Sequence, residues 1–320
     1  MKKTILVCGA TGFIGRNIIE HFANHASYKV IGVYHKRPPF THEGISWLKA
    51  DLTDPVQVSS VLEGVDILIQ AAAVTSGVST IFSQPEIHIT DNVVMNSYLF
   101  RLAFERRLEH VIFFSCTIML HSSDSPLTEQ DFDANREMHP RYFGGGWNKV
   151  YLEKMCEFFS RIGQTKFTAI RHSNVYGPYD KFDTQRAHVL GASITKVMSS
   201  EESITVWGTG EETRDFLYID DLVSMVRNVL EKQREKFALY NCGSGAPTSI
   251  KELVKIIISI SGKSLIVLYD ISKPSILTNI FLSSNKAKVE LGWTPKVSLT
   301  KGLEKTLDWW KKNMSQNNHI

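Results

Sequence analysis

Gly9-Ala10-Thr11-Gly12-Phe13-Ile14-Gly15 is the stretch on which the reading of this chain turns. It follows the apolar run Thr4–Cys8 and opens a segment, Gly12–Ala26, with helical spacing. Glycines at the first, fourth and seventh positions permit a tight strand-to-helix turn and a close approach of backbone to a pyrophosphate. The helix N-terminus then offers unpaired N–H groups and a positive dipole end to the anion. Three glycines alone carry little weight; directly after a first strand they predict a dinucleotide site made by Gly9, Thr11, Gly12, Phe13, Ile14 and Gly15.

Outward from this turn, short apolar runs alternate with helical patterns. Strands are expected at Lys29–Tyr34, Ser46–Ala50, Asp66–Gln70, His110–Ser115 and Lys166–Arg171, and helices at Pro55–Leu62, Thr90–Arg107 and Trp147–Gly163. Near-continuous apolar strands alternating with helices imply an α/β fold, a doubly wound parallel sheet covered on both faces. The second half is more mixed. Ile219–Lys232, Ser249–Ser261 and Leu299–Lys312 read as helices, Ala238–Cys242 and Leu265–Tyr269 as short strands. This predicts a Rossmann domain over residues 1–172, with parts of 214–242 returning to it, and a smaller mixed α/β lobe over 173–320.

The chain has 320 residues, 43% hydrophobic and 22% charged, with a formal net charge of +3. That is ordinary for a soluble globular protein. No block of like charges supports nucleic-acid or membrane binding, and no apolar run is long enough to span a bilayer. The run after Met1-Lys2-Lys3 reads as a buried strand, not a secretion signal. The four cysteines, Cys8, Cys116, Cys156 and Cys242, form no Cys-x-x-Cys pair and read as reduced thiols of a cytoplasmic protein. No metal-ligand spacing is present, and the polar tail Asn313–Ile320 reads as frayed.

The second strand ends Val33-Tyr34-His35-Lys36-Arg37, without the acid that would hold ribose hydroxyls. His35, Lys36 and Arg37 suit a 2′-phosphate instead, so NADP is favoured over NAD. Asp51, followed by Leu52, is placed to meet an adenine amino group, and the small residues Ala71, Ala72 and Ala73 let backbone lie along the cofactor.

These motifs, together with Asn92, Ser115-Cys116-Thr117, Lys149 with Glu153, Arg171–Pro178, Arg214–Asp221 and Asn241–Gly245, resemble the extended short-chain dehydrogenase/reductase family. That family comprises the NAD-dependent epimerases, dehydratases and reductases of nucleotide sugars. The resemblance spans nearly the whole chain. The spacing from Asn174 to His188 and Lys196, with Trp207 before Arg214, is most similar to the GDP-fucose synthase-like reductases and epimerases. It implies cofactor contacts at Lys149, His172 and Val175, and substrate contacts at Asn174, His188, Lys196, Trp207 and Arg214, the last on the diphosphate. It makes 173–320 mainly a nucleotide-sugar lobe. It also implies a homodimer through the helices near 90–107 and 147–163.

Departures from the family bear on the chemistry. Its catalytic tyrosine, four residues before the lysine, falls on Gly145. The usual Lys-Pro-Asp-Gly loop reads Lys273-Pro274-Ser275-Ile276. In the family mechanism the phenol exchanges a proton at the sugar oxygen and the lysine lowers its pKa. Thr117 and Lys149 remain, with Ser115 nearby. Tyr142, His188 acting through a water, or a water held by Lys149 or Thr117 are the candidate substitutes for the phenol. The expected activity is NAD(P)-dependent hydride transfer on a nucleotide-activated sugar, favoured as reduction of a GDP-linked 4-keto-6-deoxy sugar. The alternatives are a 4-epimerase that retains its NAD and a non-catalytic member that only binds cofactor and sugar nucleotide. Dehydration is disfavoured, because Ile118 and Met119 stand where dehydratases carry an acidic pair.

Overall fold

The computed structural model describes residues 2–75, 86, 89–183, 187–273 and 275–314. Pro274 and most of the tail expected to fray, residues 315–320, lie outside the described residues. Seven strands form one parallel sheet: β1 (Lys3–Cys8), β2 (Tyr28–Tyr34), β3 (Ile45–Lys49), β4 (Ile67–Gln70), β5 (His110–Ser115), β6 (Lys166–His172) and β10 (Phe237–Cys242). Their order is β10-β6-β5-β4-β1-β2-β3, so the chain reverses direction between β1 and β4. The carboxyl ends of strands at such a reversal open a crevice where ligands bind.

Strand alternation explains the two-sided core. Ile5 and Val7 of β1 pack on one face with α1 (Phe13–Ala23), while Leu6 and Cys8 pack on the other with α2 (Pro55–Val61), α3 (Thr90–Glu105) and α4 (Phe143–Ile162). Side chains along a strand alternate faces, so an unbroken apolar run needs both faces covered. The doubly wound sheet expected from the sequence is the one found.

Beyond β6 the chain forms β7 (Asn174–Tyr176), α5 (Val189–Ser199), β8 (Ser203–Trp207), β9 (Thr213–Tyr218) and α6 (Ile219–Lys232). After β10 come β11 (Pro247–Ser249), α7 (Ile250–Ser261), β12 (Ile266–Asp270), α8 (Asn285–Leu291) and α9 (Leu299–Asn313). β11, β9 and β7 make a three-stranded sheet, and β12 pairs with β8. Periodicity missed β7, β8, β9, β11, α5 and α8. In α5 the interior glycine hides the helix, because glycine is a poor helix former. Tertiary contact decides there: a Cβ on Gly191 would meet the Lys181 carbonyl oxygen at 2.3 Å.

α4 starts earlier than its apolar pattern suggests and takes Gly144, Gly145 and Gly146 into its first turn. Each costs about 1 kcal/mol relative to alanine. The helix is anchored further along by Glu153, which pairs bidentately with Arg171 of β6 (Nε–Oε1 2.9 Å, Nη2–Oε2 2.7 Å). Both side chains are almost fully buried. Ser115 Oγ also donates to Glu153 (2.6 Å), and Arg171 Nη1 donates to the Glu129 carbonyl (3.0 Å).

Removing one partner strands a desolvated charge, so Glu153→Gln is expected to cost about 3–5 kcal/mol. Lys154→Ala, at the exposed Lys154–Glu157 pair, is expected to cost under about 1 kcal/mol. Urea unfolding of the two variants beside the parent chain measures both; equal effects would refute the assignment of the pair as the anchor.

Candidate active site

One cavity of about 990 Å³ runs across the carboxyl ends of the central strands. At one end stands the glycine turn. Gly9 has φ +69°, and a Cβ there would lie 2.7 Å from Ala72 Cα and N, while one on Gly15 would lie 2.2 Å from the Gly9 carbonyl oxygen. Only glycine allows this close approach. Gly12 caps α1 without a side-chain bond, and no acidic residue occupies the first turn. An uncapped, acid-free helix start beside a backbone cradle fits the pyrophosphate of a dinucleotide. The Ala71–Ala73 wall is held by Gln70, whose Oε1 accepts from Ala72 N (3.2 Å), and by Asn92, which exchanges bonds with Val74 N (2.9 Å) and O (3.1 Å).

Thr11, Gly12, Phe13, Ile14 and Arg37 line this end, and Arg37 Nη1 donates to the Thr11 carbonyl (3.0 Å). Gly9 and Gly15 shape the turn from behind. His35 and Lys36 are outside the cavity wall; His35 Nε2 stands 3.8 Å from Asp51 Oδ2. Asp51 is also outside it. Its Oδ1 accepts from Thr53 N (2.9 Å) and Oγ1 (2.7 Å), and these bonds hold its carboxyl below the usual range. Leu52 is buried in the core.

At the other end Thr117, Lys149, Tyr142, His172, Asn174, Val175 and His188 are brought together. Lys149 Nζ donates to the Phe114 carbonyl (2.8 Å) and lies 4.7 Å from the Phe113 ring centroid. Burial pulls its ammonium below the ordinary lysine range. Burial likewise pushes the Tyr142 phenol up and the His188 imidazole down. His172 is held neutral, its pKa lowered to about 4 by burial; its Nδ1 donates to the Ser173 carbonyl (2.7 Å). Asn174 Nδ2 donates to the Asp215 carbonyl (3.2 Å). Cys116 also lines the cavity, and burial raises its thiol pKa.

Four predicted residues are not in this wall. Ser115 is fully buried against Glu153. Lys196 Nζ donates to the Thr205 carbonyl (2.8 Å), with the Trp207 ring 5.5 Å away. Arg214 Nη1 donates to the Thr213 carbonyl (2.7 Å) and Thr278 Oγ1 (2.9 Å), and Nη2 to the Ile276 carbonyl (2.9 Å). Gly145 does line the cavity, and a Cβ there would meet Ile118 Cδ1 at 3.1 Å, so Ile118 borders the space where a side chain would extend.

Sequence reading missed the turn Gly177–Lys181. Tyr179 has φ +70°, unusual for a bulky residue. The turn is held from three sides: Asn17 Nδ2 donates to the Pro178 carbonyl (3.0 Å), the Arg16 guanidinium stacks 3.7 Å from the Tyr179 ring, and Trp309 packs edge-on against that ring. The turn puts Asp180 and Lys181 in the cavity wall, with Lys181 Nζ donating across to the Thr75 carbonyl (3.1 Å). Gly177-Pro178 marks a turn locally, but the residues that hold it in the cavity wall, Asn17, Arg16 and Trp309, are far away in sequence.

A model of the family described as "NAD dependent epimerase/dehydratase" matches residues 5–243. GDP-L-colitose synthase of Yersinia pseudotuberculosis is 27% identical over 96% of this chain and 97% of its own length. GDP-L-fucose synthase of Sinorhizobium fredii is 28% identical over 98% of each. The crystal structure of UDP-glucose 4-epimerase from Thermotoga maritima with UDP-glucose superposes with a TM-score of 0.85 at 25% identity, covering 97% of this chain and 99% of that one.

Burial raises the Asp180 carboxyl pKa to about 7. A carboxyl raised on folding stabilises the fold in its protonated form. That contribution is complete below the ordinary value near about 4 and is lost as pH rises through about 7. Asp180→Asn is therefore expected to gain stability relative to the parent chain between those limits, with a slope of at most about 1.4 kcal/mol per pH unit. Unfolding curves at a series of pH values check this, and parallel profiles would refute it.

Proposed function

Because the chain belongs to the NAD dependent epimerase/dehydratase family, we propose that it performs hydride transfer on a nucleotide-activated sugar, as reductase of a GDP-linked 4-keto-6-deoxy sugar. The observation that carries this reading is the unbroken cavity from Thr11 and Gly12 to Thr117, Lys149 and His188. Residues 1–172 serve the dinucleotide and 173–320 mainly the sugar nucleotide. The bound nicotinamide supplies the hydride chemistry. Thr11, Gly12 and the start of α1 hold its pyrophosphate, and Arg37, the one member of the basic trio facing the cavity, favours NADP. Lys149 orients the ribose. Thr117 holds the sugar oxygen, and the proton reaches that oxygen from Tyr142, from His188 through a water, or from a water held by Lys149 or Thr117.

Gly145 beside Ile118 supports a second reading, in which the chain binds both ligands without turnover. Single-turnover reduction of GDP-4-keto-6-deoxymannose with NADPH and with NADH separates these. Product is expected, faster with NADPH. Lys149→Met is expected to slow it by at least about 100-fold, and Arg37→Ala to narrow the cofactor preference. A 4-epimerase instead carries its NAD through purification and inverts C4 of a GDP-linked 4-hydroxy sugar with no net NAD(P)H consumption. Binding of both ligands without product supports the non-catalytic reading.

We further propose a cytoplasmic homodimer through α3 and α4. Tyr151, Phe158 and Ile162 are each more than half exposed along one face of α4. Sedimentation at micromolar concentration is expected to give a dimer that Phe158→Glu dissociates; a monomeric parent chain would refute it.

A further inference from the structure

Lys181 joins the two walls of the main cavity. Its Nζ donates to the Thr75 carbonyl (3.1 Å) and lies 3.4 Å from the Thr75 hydroxyl. Both residues line the cavity, and Thr75 is exposed, so the contact stands on the solvent side. The hydride transfer proposed above has no use for an ammonium group at this place.

Both ends of the contact rest on fixed backbone. α5 packs directly on Lys181: a Cβ on Gly191 would lie 2.3 Å from the Lys181 carbonyl oxygen. Thr195 Oγ1 of the same helix donates to the next carbonyl, that of Phe182 (2.5 Å). Lys181 N donates to Asp180 Oδ1 (2.7 Å). On the preceding side, Asn17 Nδ2 donates to the carbonyls of both Phe13 and Pro178 (3.0 Å each), which seats the turn beside the first turn of α1. Across the cavity, Thr75 follows Val74, whose N and O are held by Asn92 of α3. What can move is the flexible four-carbon stem of the lysine, so the contact opens and closes without displacing either wall.

The position of the contact says what lies beneath it. Gly12–Ile14 begin α1 on one side, and Ala71–Ala73 lead to Thr75 on the other. A dinucleotide running from that helix start toward Lys149 and His172 passes between the two. Lys181 reaches from the α1 side to the β4 side and crosses this path.

We infer that Lys181 is a positioning residue for the cofactor: with Thr75 it roofs the dinucleotide channel, and NADP(H) enters and leaves only when this contact opens. The inference rests on the dinucleotide reading above and adds a gate to it. One exposed hydrogen bond is worth little to affinity. Its effect falls on rates, because a contact made both before and after the cofactor binds slows entry and exit alike. A lysine that gripped the cofactor itself would slow exit alone.

Stopped-flow mixing of the full chain with NADPH, followed by displacement with excess NADP, gives both rate constants. Lys181→Met keeps the bulk of the stem and removes the donor. Both its rate constants are expected to rise about fivefold, the size of one net hydrogen bond, with Kd within about twofold of the parent's. Lys181→Arg, which still reaches Thr75, is expected to keep the parent's rates. Lys181→Gln, polar but too short to reach, is expected to match Lys181→Met and carries the measurement if that variant does not fold. 2′,5′-ADP, which lacks the nicotinamide half, is expected to bind every variant as it binds the parent. Unchanged rates, faster dissociation with unchanged association, or weaker binding of 2′,5′-ADP overturns the inference and leaves the cofactor reading in place. Failure of the parent chain to bind NADPH or NADH overturns both.

Discussion

The Glu153–Arg171 ion pair is the constraint on which the site's geometry depends. Taking two charges out of water costs several kcal/mol per ion, recovered only when geometry is near ideal and the remaining donors and acceptors are filled. Here they are filled by Ser115 from β5 and by the Glu129 carbonyl. The pair therefore fixes β5, β6 and α4 relative to one another. Lys149 stands one helical turn before Glu153, so its place in the cavity is set from the well-packed middle of the helix. The three glycines at the helix start contribute little rigidity, and the anchor makes their presence tolerable.

A similar division holds on the facing wall. The Gly177–Lys181 turn carries backbone strain at Tyr179, on the order of 1–3 kcal/mol. Asn17 and Arg16 of α1 and Trp309 of α9 offset it. Asp215 works the same way further along. Its buried carboxylate accepts from the backbone N–H groups of Ser244, Gly245 and Leu282, and so gathers two distant segments around β9 next to Arg214. Buried polar groups, fully bonded, hold both sides of the cavity.

Much of this is legible in the sequence, for reasons that differ by element. The parallel sheet is readable because each strand is buried on both faces and its apolar run is unbroken. The glycine turn is readable because no other residue fits Gly9 against Ala72. At the expected cofactor end Thr11, Gly12, Phe13 and Ile14 line the cavity, and of the basic trio only Arg37 does. Ser115 looked like a site hydroxyl because it adjoins Thr117, yet strand alternation turns it inward toward Glu153. The buried character of Asp180 was invisible, because distant segments produce it. The strands β7 and β11 escaped because three residues carry too little periodicity to register.

The sheet order also has a consequence for how the chain is made. β6 is complete at His172, but its outer neighbour β10 ends only at Cys242. During synthesis from the N-terminus, about 70 further residues must emerge before that edge is covered. Until then β6 presents a row of unpaired backbone groups flanked by Phe167, Ala169 and Ile170, all destined for full burial. Such an edge is a template for pairing with another chain. A nascent chain halted near residue 172 would hold a nearly complete sheet that is prone to aggregate, and β10 is the strand that ends that exposure.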